Sequence, residues 1–170
     1  MRAVKVEAIV YESNTGFTRK YAELLSEATG LKVYERRTAG GSLKKGAAVL
    51  YMGWLMAGSV KGFKKACGRY RIKALAAVGM GSPSDKSSAD TVQKYTTEDM
   101  PVFYLQGGLD VGKLRGLYKF MMSSAGKATE NSPDTNDKMT DEERGKRDLF
   151  KNGGNFVKKE NLEQLMAWIQ

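Results

Sequence analysis

The chain has 170 residues, 41% of them apolar, and 28 Lys and Arg against 19 Asp and Glu give it a formal charge of +9 with no histidine. That length and apolar share suit one globular domain over 1–170, and the missing histidine excludes a Ser-His-Asp triad, a Cys-His dyad and histidine-ligated zinc. A single cysteine, Cys67, excludes an internal disulfide and a Cys-rich metal site, so no metal is expected.

The first residues lose their apolar character at Glu7, unlike a signal peptide, and no apolar run approaches the ~18 residues of a membrane span. A soluble, cytoplasmic domain is the expectation. Val4 to Tyr11, β-branched and increasingly apolar, predicts a strand buried on both faces. Glu12 to Gly16 reads as a turn. Thr18 to Ala28 reads as a helix with Tyr21, Ala22, Leu24, Leu25 and Ala28 at helical spacing and Gly30 as its stop. Leu31–Glu35 is a short second strand, and the apolar run Ala47–Trp54 a third. A basic helix is expected from Val60 to Tyr70, then a fourth strand, Ala74–Met80, and a polar loop through Asp85. A helix near Ala89–Tyr95 precedes the fifth strand, Pro101–Gln106.

Strands alternating with helices imply right-handed βαβ crossovers and a parallel sheet covered on both faces. The expected architecture is α/β, a three-layer sandwich around five parallel strands. A further helix is expected from Val111 to Ser124, with Leu114, Leu117, Tyr118, Met121 and Ala125 as one stripe. Residues 127–158 lack clear periodicity and read as a long irregular insertion before a last helix, Lys159 to Ile169.

The charge is uneven. Residues 1–126 hold 20 basic and 10 acidic side chains, while 127–170 hold 8 and 9. Between Arg36 and Ser84 there is no acid but ten bases. Such a block attracts an anionic partner; without a nucleic-acid-binding motif, nucleic acid is not expected.

In an open α/β sheet the ligand lies beyond the carboxyl ends of the strands, where the strand order reverses. There the first strand delivers Ser13-Asn14-Thr15-Gly16-Phe17-Thr18 directly into a helix. The unpaired N–H groups of a helix start favour an anion. Ser13, Thr15 and Thr18 add hydroxyls, Asn14 an amide, and Gly16 lets the backbone close on a phosphate. The hexapeptide contains no Lys or Arg, which points to a phosphate that is held rather than transferred. An ordinary helix cap would need only one of these side chains.

Ile9-Val-Tyr-Glu-Ser-Asn-Thr-Gly-Phe-Thr-Arg-Lys-Tyr-Ala22 resembles the flavodoxin signature, departing from it at Glu23, where the family prefers an aliphatic residue. The resemblance implies a flavodoxin-like sheet of order 2-1-3-4-5 and one noncovalent FMN. It further implies that Ser13 to Thr18 hold the phosphate. Two loops would flank the flavin: Trp54, Leu55, Met56, Ala57 and Gly58 after the third strand, and Gly81, Ser82 and Pro83 after the fourth. Trp54 is a candidate to stack on the ring, or equally a core tryptophan. The basic body and the extra segment are similar to the flavodoxin-like, menaquinone-dependent protoporphyrinogen oxidases. That implies an FMN-dependent oxidoreductase whose redox partner or anionic substrate is a protein, a quinone or a porphyrin. It also implies peripheral contact with the inner membrane face through residues 113–122. The catalytic residues stay unassigned. The rivals are a non-enzymatic electron carrier and a flavodoxin-fold interaction module without cofactor.

Gly107 to Leu114 imitates a Walker A loop but has Leu114 where the magnesium-binding hydroxyl belongs. Cys67 is expected to be a helix residue packed on the sheet, with Lys64 and Lys65 near enough to lower its pKa.

Overall fold

The computed structural model describes residues 5–113 and 140–170. Its centre is a mostly parallel sheet built from β1 (Ala8–Glu12), β2 (Lys32–Glu35), β3 (Ala48–Met56), β5 (Arg71–Gly79) and β6 (Val102–Gln106), in the order β2-β1-β3-β5-β6. A two-residue strand, β4 (Ser59–Val60), folds back antiparallel on the end of β3. The expected set of five strands in the order 2-1-3-4-5 is therefore corrected to a six-stranded sheet among the described residues. The reason is local. Ala57 and Gly58 both have positive φ, 49° and 71°, which makes a tight two-residue turn whose twist suits a hairpin.

Register follows from alternation. Ile9 of β1 pairs with Val33 of β2 and Leu50 of β3, and these residues face one side of the sheet. Val10 and Tyr51 face the other. On the first face, α1 (Phe17–Thr29) brings Tyr21, Ala22 and Leu25, while the last helix brings Leu165. On the second face, α2 (Phe63–Cys67) brings Ala66, and α3 (Lys86–Tyr95) brings Tyr95. A strand with apolar partners on both faces must itself be apolar throughout. Ala48 to Gly53 of β3 and Ala74 to Gly79 of β5 accordingly form continuous buried runs.

The chain then closes through α4 (Asp141–Asn152), a second small antiparallel pair of β7 (Gly108–Leu109) with β8 (Gly154–Asn155), a 3₁₀ turn at Lys159–Leu162, and α5 (Glu163–Ile169). Helix α4 corrects the expectation of an irregular stretch over 127–158. Thr140 caps it: the Thr140 hydroxyl accepts from the Glu143 N–H at 3.2 Å, and the Glu143 carboxylate accepts from the Thr140 N–H at 2.9 Å. The expected basic helix over Val60–Tyr70 shrinks to five residues, because β4 occupies its first turn and Gly68 ends it. Of the helix expected from Val111 to Ser124, Val111–Lys113 form a 3₁₀ turn. The rest, with most of the segment 113–122 expected to touch a membrane and residues 127–139 of the expected insertion, lies outside the described residues. No described helix is long and apolar enough to cross a membrane.

Candidate functional site

The carboxyl ends of β1, β3, β5 and β6 all open on one edge of the sheet. Beyond β1 the chain turns at Ser13, whose hydroxyl accepts from the Gly16 N–H at 3.2 Å. Gly16 itself has φ +102°, and a Cβ there would meet nothing within 4 Å. The glycine is thus required by the backbone, and it leaves open space at the head of α1. No side chain caps α1, and its first turn carries no acid. The positive end of a 13-residue helix is therefore unmasked. Thr18 is buried, and its Oγ1 is the one buried side-chain polar atom among the described residues without a hydrogen-bond partner. A hydroxyl removed from water and left unpaired carries a cost of about 1–3 kcal/mol unless something else satisfies it.

This loop lines a small cavity of about 60 Å³ together with Trp54 and Leu55 of β3, Val78 and Gly79 of β5, and Leu109. Leu55, Gly79 and Met80 also border a second cavity, of about 360 Å³, that runs beneath the β3–β4 turn. The second cavity meets Ala57, Gly58, Gly81 and Ser82 on one side and Asp141, Gly145 and Lys146 of α4 on the other.

Hydrogen bonds immobilise its walls. The Ser82 N–H donates to the Asp85 carboxylate at 3.0 Å, the Ser88 hydroxyl to the Ser82 carbonyl at 2.7 Å, and the Tyr104 phenol to the Gly81 carbonyl at 2.8 Å. Burial pushes the Tyr104 phenol above its ordinary pKa, which keeps it protonated as that donor. Lys94 donates to the Gly58 carbonyl at 2.9 Å and so ties α3 to the hairpin turn. Above the cavity, Leu149 of α4 packs against Leu109 and Met80.

Of the residues expected from the sequence, Ser13, Asn14, Thr15, Phe17, Thr18, Trp54 and Leu55 surround the small cavity. Gly16 lines an adjoining one with Lys20 and Lys113. Ala57, Gly58, Gly81 and Ser82 border the larger one. Two residues stand apart. Met56 lines neither of the first two cavities, and Pro83 is exposed at a separate depression against α3. Trp54 is half-buried, with the Lys61 ammonium 5.9 Å from its ring centroid.

Sequence reasoning missed Tyr104, Gln106 and the whole contribution of α4. The signal for α4 was present as Thr140-Asp-Glu-Glu143, a capping-box pattern. Cys67 is the last residue of helix α2, as expected, but it is exposed rather than packed on the sheet, and desolvation raises the pKa of its thiol although Lys64 and Lys65 lie near enough in sequence to lower it. The Walker-like segment contributes β7, and Lys113 within it pairs with Asp110 at 3.6 Å.

No family model matches this chain, no curated protein matches it, and no solved structure matches it.

Proposed function

We propose that the chain is a flavodoxin-like protein that binds one FMN noncovalently along the carboxyl edge of the sheet and acts in redox chemistry, as an FMN-dependent oxidoreductase. Leaving out the two-residue β4, the parallel strands follow one another across the sheet as second, first, third, fourth and fifth. With helices packed on both faces, this supports the three-layer flavodoxin-like reading.

The observation that carries the proposal is the orphaned hydroxyl of Thr18 at the head of an uncapped helix. The donor set suits a phosphate dianion. Ser13 has a hydroxyl proton to give, Thr15 and Thr18 add two more hydroxyls, the first-turn N–H groups converge, and no carboxylate opposes them. An ordinary cap would satisfy the helix and leave no buried hydroxyl over. Next to the loop, a cavity of about 360 Å³ falls in the ~300–1,000 Å³ range of small-molecule sites. Leu55, Met80 and Leu149 give it apolar walls, and Tyr104 and Ser82 hold its floor in one geometry.

When bound, the flavin supplies the electron or hydride transfer; the protein supplies binding, orientation and exclusion of water. Ser13 to Thr18 would hold the phosphate end, and Trp54, Leu55 and the 79–82 loop would border the ring. An electron carrier uses the same site without a substrate of its own, and an NAD(P)H or quinol oxidation assay separates carrier from enzyme.

The deciding experiment is a titration of the purified chain with FMN, followed by absorbance and flavin fluorescence. Saturable quenching at one equivalent is expected. Absence of any spectral change would overturn the flavin reading and favour the cofactor-free interaction module instead.

A further inference from the structure

The acid-free stretch from Arg36 to Ser84 does not scatter its bases over the molecule. The 3₁₀ turn at Ala39–Gly41 and helix α2 cover the same face of the sheet, since Ala39, Leu43, Phe63, Ala66 and Tyr70 belong to one apolar cluster with Val10, Val49 and Tyr51. The two segments are also tied directly. The Arg69 guanidinium donates to the Gly40 carbonyl at 3.0 Å, and the Gly46 N–H donates to the Arg69 carbonyl at 2.7 Å. Their apolar side chains point into the core, so their charged ones point out. Lys44, Lys45, Lys64 and Lys65, with Arg37, Arg69 and Arg71, are all exposed, and among the described residues none of them forms an ion pair. Of the ten bases in the stretch, Arg36 is neutralised, by Glu12.

We propose that this layer is a docking face for a protein that presents an acidic surface. Its chemistry argues against nucleic acid and against a membrane surface. A duplex groove is read by an element long enough to enter it, whereas α2 has five residues. Single-stranded nucleic acid needs exposed rings for stacking, whereas Phe63 and Tyr70 are turned into the core. A membrane surface needs apolar anchors beside the bases. The exposed large apolar residues among the described ones, Val111 and Phe156, lie outside this stretch. What remains is an array of exposed ammonium and guanidinium groups whose neighbouring rings, Phe63 and Tyr70, belong to the core. That array matches dispersed carboxylates, and it steers encounter more than it adds affinity. The face also reaches the candidate site, because Lys61 sits over Trp54 and Lys94 holds the β3–β4 turn. A docked partner would stand at the rim of the larger cavity. The docking itself does not depend on flavin binding.

The test uses the full chain at about 0.15 M salt, where only short-range charge interactions survive. The probes are labelled oligo-glutamate, a short DNA duplex and phosphatidylserine vesicles. Oligo-glutamate is expected to bind. The variant with Lys44→Glu, Lys45→Glu, Lys64→Glu and Lys65→Glu should bind it about tenfold more weakly or worse. A control with Lys5→Glu, Lys32→Glu, Lys158→Glu and Lys159→Glu, all exposed elsewhere, should stay within about twofold. Near-UV circular dichroism checks that both variants fold, and the corresponding Lys→Gln set gives a milder version of the same comparison. Failure of oligo-glutamate to bind, equal losses in both charge-reversal variants, or tighter binding of DNA or vesicles than of oligo-glutamate would each overturn the proposal. None of these readouts involves flavin, so their failure leaves the FMN titration to stand or fall separately.

Discussion

The phenol of Tyr21 donates to the backbone carbonyl of Gln106, and accepts from the side-chain amide of Asn161 at 2.6 Å. One hydroxyl thereby joins the helix that leaves the candidate phosphate loop, the last parallel strand, and the 3₁₀ turn that leads into the last helix. Tyr21→Phe keeps the ring in its apolar surroundings but leaves the Gln106 carbonyl and the Asn161 amide short of a partner. A loss of about 1–2 kcal/mol is expected in urea unfolding. An unchanged midpoint would mean that water replaces the phenol at no cost.

Alkaline pH should destabilise the fold through the same kind of group. Tyr21, Tyr51 and Tyr104 are all pushed above the ordinary value of 10.0, in each case first by burial. Above that pH the unfolded chain loses tyrosine protons that the native state retains, so the unfolded state binds fewer protons and stability falls as pH rises. Below it the contribution is complete. Urea midpoints measured from about pH 8 to about pH 11 should hold level and then drop beyond about pH 10. A flat profile throughout would contradict the burial of these phenols.

Thr18 gives a test in which stability and binding move in opposite directions. Thr18→Val removes a buried hydroxyl that has no partner and replaces it with a methyl group. The ligand-free protein should gain up to about 1 kcal/mol, while FMN affinity falls by about 1–2 kcal/mol, or roughly 5–30-fold. Gly16→Asp should weaken FMN further than Gly16→Ala. Both strain a backbone at φ +102°, but only the aspartate would set a carboxylate against the phosphate proposed there. Equal affinities for these two variants would remove the phosphate from this loop.

Glu12, Arg36 and Gly62 meet in a tightly packed corner at the sheet edge. The Glu12–Arg36 ion pair has both side chains only 17% exposed. A Cβ at Gly62, where φ is +73°, would run into the Glu12 carboxylate and the Tyr51 hydroxyl. Gly62→Ala should therefore cost about 2 kcal/mol or more, from strain and overpacking together. Arg36→Met, which strands the largely buried Glu12 carboxylate, should cost about 2 kcal/mol. Thermal unfolding with and without Glu12→Gln distinguishes the two variants, because only the second is relieved when the stranded charge is removed.

Ala57 is a non-glycine residue with positive φ in the hairpin turn. Ala57→Gly relieves a left-handed conformation that costs an alanine about 1 kcal/mol, less the extra chain entropy of glycine. A net gain of about 0.5 kcal/mol is expected, and Ala57→Val should lose more than that, both read from denaturant midpoints.

The strand–turn–helix from Ala8 to Thr29 was legible because β-branched burial, a single glycine and helical spacing all agree over adjacent residues. The loop Ser13 to Thr18 was legible for the same reason. The β3–β4 hairpin was not, since its turn is Ala57-Gly58 rather than Asn-Gly, and alanine in a left-handed conformation is not something composition announces. Helix α4 was hidden by its polarity. Among its described side chains, buried Leu149 packs against Leu109 and Met80, residues far apart from it in the chain, so no local periodicity marks the contact. Tyr104 was legible as a strand residue but not as a wall of the cavity, because that role depends on where the Gly81 carbonyl lies.

The β3–β4 hairpin has a kinetic consequence. Its turn is hydrogen-bonded to Lys94, and its strands to each other, so the loop after the third strand is already ordered on the free protein. A ligand entering beside it has no segment there to organise on arrival. Association should then be a single step whose observed rate climbs linearly with ligand concentration, without the plateau that a closing loop would impose.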